Sequence, residues 1–394
     1  MSTITDEVDA ALAPAERDLI ARARAFAQAQ VGPQAAQWEW ERRHPTEALR
    51  AACAEGLHTV ELPVQHGGLG LSFSAKLRLC EEIARHDYAF AFSLVNHANA
   101  TTRLARDGSP ALIARLLPRM LSGEVIGCAG LTEPGAGSDF AAITTSARKV
   151  EGGWILNGAK AWIGNAAVAG FVATYAQTDP ARGSRGIGCF AVEAERPGFH
   201  REPPFALHGG HAHGAGGFRL QEYFAPDDAV LQLPGEAFKM ALTSINGARA
   251  YVAAMCCGML AASIDTATAY TNERQTFGRK VIEHQGVRWK LVDALTDLEA
   301  ARLLTYRAAR LIDHHADAVL PAAHAKKFAT EMALKRIADC IQAMGANGLR
   351  AEYPLARHLA CAKIACYTDG SIEMMNERIG QSLRLAATAT DRRA

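Results

Sequence analysis

The feature that most constrains this chain is that its hydrophobic period changes twice along its 394 residues. From about residue 14 to 124 the sequence is Ala-rich and apolar residues recur at helical spacing, as in Leu19, Ala23 and Phe26, with Pro45, Gly67-Gly68 and Gly108 as punctuation. Near Gly123, short segments broken by glycine take over. The stretch VEGGWILNGAKAWI carries two hairpin turn signals, Gly152-Gly153 and Asn157-Gly158. Phe171, Ala173 and Tyr175 alternate, and GIGCFAVEA and GFRLQEYFAP read as further strands. After Pro234 the helical period returns. Ile245, Ala248, Val252, Met255 and Met259 form one long apolar stripe, and Leu291, Leu295 and Leu298 mark a second helix. Two more helices fit before the C-terminus, and four long helices suggest a bundle.

Helices, then strands, then helices, without βαβ alternation, exclude a Rossmann sheet. The order predicts an α+β, mostly α fold: an N-terminal α-helical domain over 1–124, a middle β domain of barrel or sandwich type over 125–235, and a C-terminal four-helix bundle over 236–394. The composition, 49% hydrophobic and 21% charged, is that of a folded chain. Lys and Arg number 42 against 41 Asp and Glu, so no global field holds nucleic acid or an anionic membrane, and an anionic ligand must be held locally. No uninterrupted apolar run reaches about 18 residues. The mixed, acidic N-terminus lacks the pattern of a secretory signal. The nine cysteines are scattered, odd in number and never in a CxxC pair, which fits a reducing compartment. A cytoplasmic protein is expected, with no nucleic-acid or membrane partner.

The most informative segment is CAGLTEPGAGSDF, Cys128 to Phe140, where helical sequence gives way to strands. Gly135 and Gly137 allow a ligand close to the backbone, and Thr132, Ser138 and free N–H groups could cradle a ring edge or a phosphate. A loop that merely turns the chain would also carry these glycines. Taken whole, the string resembles the signature of the acyl-CoA dehydrogenase family. The resemblance continues through AWIGN (Ala161 to Asn165), ERQTFGRKVIEHQ (Glu273 to Gln285), QAMGANG (Gln342 to Gly348), EYPLAR (Glu352 to Arg357) and YTDGS (Tyr367 to Ser371).

That resemblance implies a flavoprotein holding FAD between the β domain and the bundle, with part of each site supplied by a neighbouring subunit of a homo-oligomer, dimer or tetramer. It places Leu131, Thr132, Gly137 and Ser138 along the isoalloxazine and the substrate entrance, and Trp162 against the ring. Arg274, Thr276, Phe277, His284, Gln285, Gln342 and Gly345 would meet the FAD of the adjacent subunit, and Ser371 and Glu373 would also contact cofactor. The planar fork of Arg274 suits a pyrophosphate, although an isolated arginine is more often a solvated surface residue. The implied reaction is α,β-dehydrogenation of an acyl-CoA, with an electron-transferring flavoprotein as electron acceptor.

Four departures from the family pattern bear on function. The Tyr-Glu-Gly-Thr motif that carries the family's base reads Thr368-Asp369-Gly370-Ser371. Asp369 remains a carboxylate that burial could bring toward a working pKa, but it is one methylene shorter, and a misplacement of about 1 Å can cost roughly a hundredfold in rate. Asp369 could instead be a turn or N-cap residue before Ile372. The alternative family site for the base, on the long helix that begins the bundle, is Ala248. Beside it Arg249 either steadies the base and thioester region or merely snorkels, and Asn246 stands where many members have aspartate for the pantetheine arm. Thr368 and Gly370 complete the substrate contacts. The family's hydroxyl residue facing flavin N5 is replaced by Gly164. Finally, SLVNHANA (Ser93 to Ala100) puts Asn96, His97 and Asn99 at the acyl-pocket wall. They would suit a short, branched, cyclic or polar acyl group, or be satisfied helix-interior polar residues.

An aspartate base also resembles the nitroalkane oxidases, and the thioester could be carried by an acyl-carrier protein rather than CoA. A silent flavin-binding homologue is a further alternative. His208, His211 and His213 crowd one loop, LHGGHAHGAGG, but no carboxylate or cysteine completes a ligand set, so a mobile loop and no metal site are expected. Cys256-Cys257 read as small core residues.

Overall fold

A computed structural model describes residues 3–391. The chain divides into two compact units, residues 1–36, 73–88 and 245–394, and residues 37–72 and 89–244. Seven helices come first: α1 (Ile4–Ala11), α2 (Pro14–Phe26), α3 (Gly32–Glu41), α4 (Thr46–Ala54), α5 (Phe73–Ala84), α6 (Tyr88–Asp107) and α7 (Pro110–Leu121). Eight strands follow: β1 (Gly127–Gly130), β2 (Ser146–Val150), β3 (Gly153–Ile163), β4 (Phe171–Gln177), β5 (Ile187–Glu193), β6 (Phe199–Arg201), β7 (Gly216–Pro226) and β8 (Val230–Gln232). The chain then runs through α8 (Ala237–Glu273), the two short strands β9 (Gln275–Thr276) and β10 (Arg279–Lys280), α9 (Gln285–Asp313), α10 (Val319–Met344), α11 (Leu355–Ala365) and α12 (Ile372–Asp391).

The second unit is built on one mixed sheet in the order β6-β7-β3-β2-β4-β5-β8, with β1 pairing parallel to β4. Every residue of β4 is buried, because strands flank it and both its faces are covered, so FVATYAQ reads as a continuous apolar run. Phe171, Tyr175, Phe190, Phe218 and Tyr223 share its core with Leu112, Leu116 and Met120 of α7. The β2–β3 hairpin turns at Glu151-Gly152, where Gly152 has φ +71°. Asn157-Gly158, expected to turn, lies instead inside β3. The pairing of β3 with β7 slips between Leu156 and Gly158, and the Asn157 amide bonds across to Glu222. This is a β-bulge. Gly158 is required because its φ is +151° and a Cβ there would lie 2.6 Å from the Thr145 Cα.

In the first unit α8 is a core helix. It is long and apolar enough to cross a membrane by length and composition, but 72% of its most apolar window is buried inside the protein. Val252, Met255 and Met259 are fully enclosed. In α9, Leu291 and Leu298 point inward, whereas Leu295 joins Trp289, Val292 and Leu303 on an exposed apolar face. Three helices rather than two follow α9, because Gly345 (φ +64°) ends α10 and a left-handed turn at Asp369-Gly370 separates α11 from α12. A buried charge lattice ties α1, α5 and α9 together: Arg78 bonds Asp9 at 2.6 Å and Glu82 at 2.6 Å, and Arg302 bonds Glu81 at 2.8 Å. All nine cysteines are buried, and none is joined in a disulfide.

Candidate active site

The turn between α11 and α12 delivers Asp369. Its φ is +53°, a left-handed conformation uncommon for a residue with a side chain, and Gly370 follows at φ +99°. The turn does not spend Asp369 on capping. Ser371 caps α12, its hydroxyl accepting from the Met374 N–H at 3.4 Å. The Asp369 carboxyl faces inward, where Oδ2 accepts from the Tyr251 hydroxyl of α8 at a long 3.4 Å. Burial pushes its pKa up, while Lys326, Arg249 and Tyr251 pull against that rise. Lys326, from α10, is wholly buried and donates to the Gly370 carbonyl. Burial brings it down to about 8. Arg249 is also buried, donates to Asn246 Oδ1 at 2.9 Å, and keeps its Nε unpartnered. Thr368 is engaged locally, its hydroxyl donating to Ile364 O at 3.0 Å. A carboxyl poor in donors and flanked by two cations has thus been assembled from two helices, α8 and α10, and one turn. Sequence reasoning reached Asp369, Arg249 and Asn246. It missed Lys326 and Tyr251, which ordinary helical sequence brings in from far along the chain.

In the second unit, the loop after β1 is clamped from behind. Glu133 is buried and takes Lys160 Nζ at 2.8 Å, Thr144 N at 2.7 Å, Thr144 Oγ1 at 2.9 Å and Thr145 N at 2.9 Å. Lys160 also reaches Leu131 O at 3.1 Å, and Ala161 N donates to Thr132 O at 3.0 Å. The loop crest is left open: Gly137 and Ser138 are exposed, and a Cβ on Gly135 would meet nothing within 4 Å. Neither Glu133 nor Lys160 was singled out from sequence, although Glu133 lies inside the motif. Glu133, one of two acids in that loop, was the available signal.

At the end of β3, Trp162 is 60% exposed at φ +59° and lies against Phe205, ring centroids 4.4 Å apart. Asn165 adopts φ +64° and donates to Ser93 O at 2.9 Å. Gly164 between them is buried. His97 is structural: its Nδ1 accepts from Gly127 N at 3.0 Å and its Nε2 donates to Met120 O at 3.0 Å. Of the two readings open for that residue, the satisfied interior one holds. Cys53, His58 and His97 bring donor atoms within 4.8 Å of one another, but both His97 nitrogens are taken and burial pushes the Cys53 thiol up to about 12. His211 is spent on Glu39, at 2.8 Å.

Profiles of the acyl-CoA dehydrogenase N-terminal, middle and C-terminal domains match residues 13–124, 128–223 and 235–384. A mitochondrial isovaleryl-CoA dehydrogenase of Oryza sativa subsp. japonica is 32% identical over 361 residues, 91% of this chain and 88% of the relative. The chain belongs to the acyl-CoA dehydrogenase family. Butyryl-CoA dehydrogenase from Megasphaera elsdenii superposes with a TM-score of 0.90 at 28% identity, over 94% of this chain and 98% of that one. A structure of PigA with FAD and proline superposes with a TM-score of 0.89 at 28% identity, over 95% and 99%. As a family member, the protein is an FAD-dependent oxidoreductase acting on acyl-CoA.

The residues of this acyl-CoA dehydrogenase fit a flavin. Open space over Gly135 in the signature loop, an exposed tryptophan held at positive φ and a His213 Nε2 without a hydrogen-bond partner are features that suit a planar, polar heterocycle. The remaining family contacts lie on the surface. Arg274, Gln285, Gln342, Gly345 and Glu373 are exposed, and Phe277, at the tip of the β9–β10 hairpin, is 97% exposed at φ +51°. Thr276 and His284 are brought together, with Thr276 Oγ1 and His284 Nε2 at 3.2 Å.

Proposed function

We propose that this acyl-CoA dehydrogenase desaturates a short, branched, cyclic or polar acyl-CoA, with Asp369 removing the α-proton. FAD, when bound, supplies a hydride acceptor for the β-carbon. The observation that carries the reading is the Asp369 carboxyl, desolvated so that its proton affinity rises, yet facing Lys326 and Arg249, which favour its charged form. Both are properties of a base: it must be ionised before reaction and able to hold the proton afterwards. An acyl-thioester α-proton is weakly acidic, so the chain must also exclude water and fix charge near the thioester. Arg249, buried with an unpartnered Nε, would do so, and Asn246, Thr368, Gly370 and Ser138 would complete the substrate contacts.

Leu131, Thr132, Gly137, Ser138, Trp162 and Gly164 would form the flavin surface. Arg274, Thr276, Phe277, His284, Gln285, Gln342 and Gly345 would serve the FAD of a second copy, and Ser371 and Glu373 would approach the cofactor. Support for a homo-oligomer, tetramer or dimer, comes from the exposed apolar face of α9, Trp289, Val292, Leu295 and Leu303, together with the bare Phe277. The division into domains at 1–124, 125–235 and 236–394 is supported by the matched profile ranges. An electron-transferring flavoprotein as acceptor and a cytoplasmic setting complete the proposal, the latter supported by nine cysteines of which none is in a disulfide.

The test is anaerobic mixing of the yellow holoenzyme with butyryl-, isovaleryl- and cyclohexanoyl-CoA. Rapid bleaching of the flavin by at least one of them is expected. No bleaching by any thioester, CoA-borne or carrier-borne, would sink the reading, and oxygen uptake with a nitroalkane would replace it with an oxidase.

A further inference from the structure

The glycine at position 164 has a cause that lies far away in sequence. A Cβ on Gly164 would fall 2.1 Å from His213 Nε2 and 2.3 Å from Asn96 Nδ2, so both side chains already fill the direction in which residue 164 would project. His213 is 8% exposed, and its Nε2 is buried with no hydrogen-bond partner. It is also held rigidly. Its carbonyl accepts from Asn165 N at 2.9 Å, Phe92 packs edge-on to its ring at 4.6 Å, and its loop is anchored by Glu39, which accepts from Gly210 N at 3.0 Å and His211 N at 3.2 Å. Burial and the neighbouring His44 push its pKa down to about 4, so the imidazole is uncharged at neutral pH.

We propose that His213, with Asn96 beside it, takes the place of the side chain that Gly164 lacks and presents Nε2 to the edge of the bound flavin. An unpartnered buried nitrogen carries a desolvation cost until something satisfies it, and among the described residues Nε2 has no hydrogen-bond partner. A flavin ring nitrogen or carbonyl is the kind of group that would. The exchange is reciprocal: a glycine at 164 makes room for the imidazole, and the imidazole restores the polar contact that the glycine removes. The inference rests on the flavoprotein reading of the Trp162–Asn165 segment.

The experiment uses FAD-loaded protein and variants His213→Gln, His213→Leu, Gly164→Thr, His213→Ala and Gly164→Thr/His213→Ala. The readouts are FAD retention, the visible spectrum and the midpoint potential by dye equilibration. His213→Gln should stay near the parent. His213→Leu should change the ratio of oxidised to reduced flavin about tenfold at fixed dye potential, equal to about 30 mV for a two-electron couple. Gly164→Thr should lose FAD, and adding His213→Ala should restore it. Parental potential and spectrum in His213→Leu would overturn the proposal. So would a Gly164→Thr protein that matches the parent, or a double variant that holds FAD no better than Gly164→Thr; this arm decides if His213→Leu does not fold. Bleaching of the parent by acyl-CoA tests the dehydrogenase reading separately, since these potentials are measured without substrate.

Discussion

Glu133, a buried acid, and Asp369, a half-buried residue with a desolvated carboxyl, each face a buried lysine, yet the protein treats them in opposite ways. Lys160 and Lys326 are alike, each brought down to about 8 by burial. The difference lies in the donors. Glu133 takes one ammonium, two backbone N–H groups and a hydroxyl, and is held at about 2 despite its burial. Asp369 takes one long hydroxyl contact while Lys326 donates elsewhere, to Gly370 O, so desolvation wins and its pKa rises. A saturated carboxylate is an anchor; an undersupplied one keeps its appetite for a proton. The first fixes the signature loop and the second is available for chemistry.

The largest expected effect comes from removing the undersupplied acid. Asp369→Asn should slow flavin bleaching by about 10²- to 10⁴-fold, the usual range for a positioned general base, with little loss of stability, as stopped-flow and denaturant titration would show. Glu133→Gln should do the reverse. It strands the buried Lys160 charge and should cost about 3–5 kcal/mol in urea unfolding. If the two substitutions had similar stability costs, the contrast would be broken.

Acidity sharpens it further. Glu133 titrates lower in the folded chain than its ordinary 4.5, so its contribution is fully present above that pH and is lost as pH falls toward about 2. The raised pKa of Asp369 has the opposite sign, since the folded chain gains from protonating it. Acid unfolding curves should therefore flatten in Glu133→Gln and steepen slightly in Asp369→Asn. The smallest effect is expected for Lys326→Met. Losing the cation that most favours the charged form of Asp369 should move the lower limb of the bleaching pH profile to higher pH, while far-UV circular dichroism stays unchanged.

How much of this was legible in sequence depends on distance along the chain. The change of period, the strands of the sheet, the stripe of α8 and the Cys128–Phe140 loop are local patterns, and the residues carry them openly. Asn157-Gly158 misled because the same dipeptide suits a hairpin turn and a bulge, and only the approach of Thr145 decides between them. Leu295 misled because α9 is apolar on two faces. Asp369 could be picked out, but the balance of its charge could not, since Tyr251 and Lys326 arrive from helices 118 and 43 residues away by number. Gly164 was visible as a departure, and its reason was not, because His213 and Asn96 come from a loop and a helix that only the fold brings together.

The most direct test of the central claim is solvent exchange at the substrate α-carbon. Butyryl-CoA is incubated anaerobically in D₂O with holoenzyme or with its Asp369→Asn variant, and deuterium at the α-position is followed by NMR. The account predicts incorporation with the parent and almost none with the variant at matched FAD content. Equal incorporation by both would show that another group removes the proton.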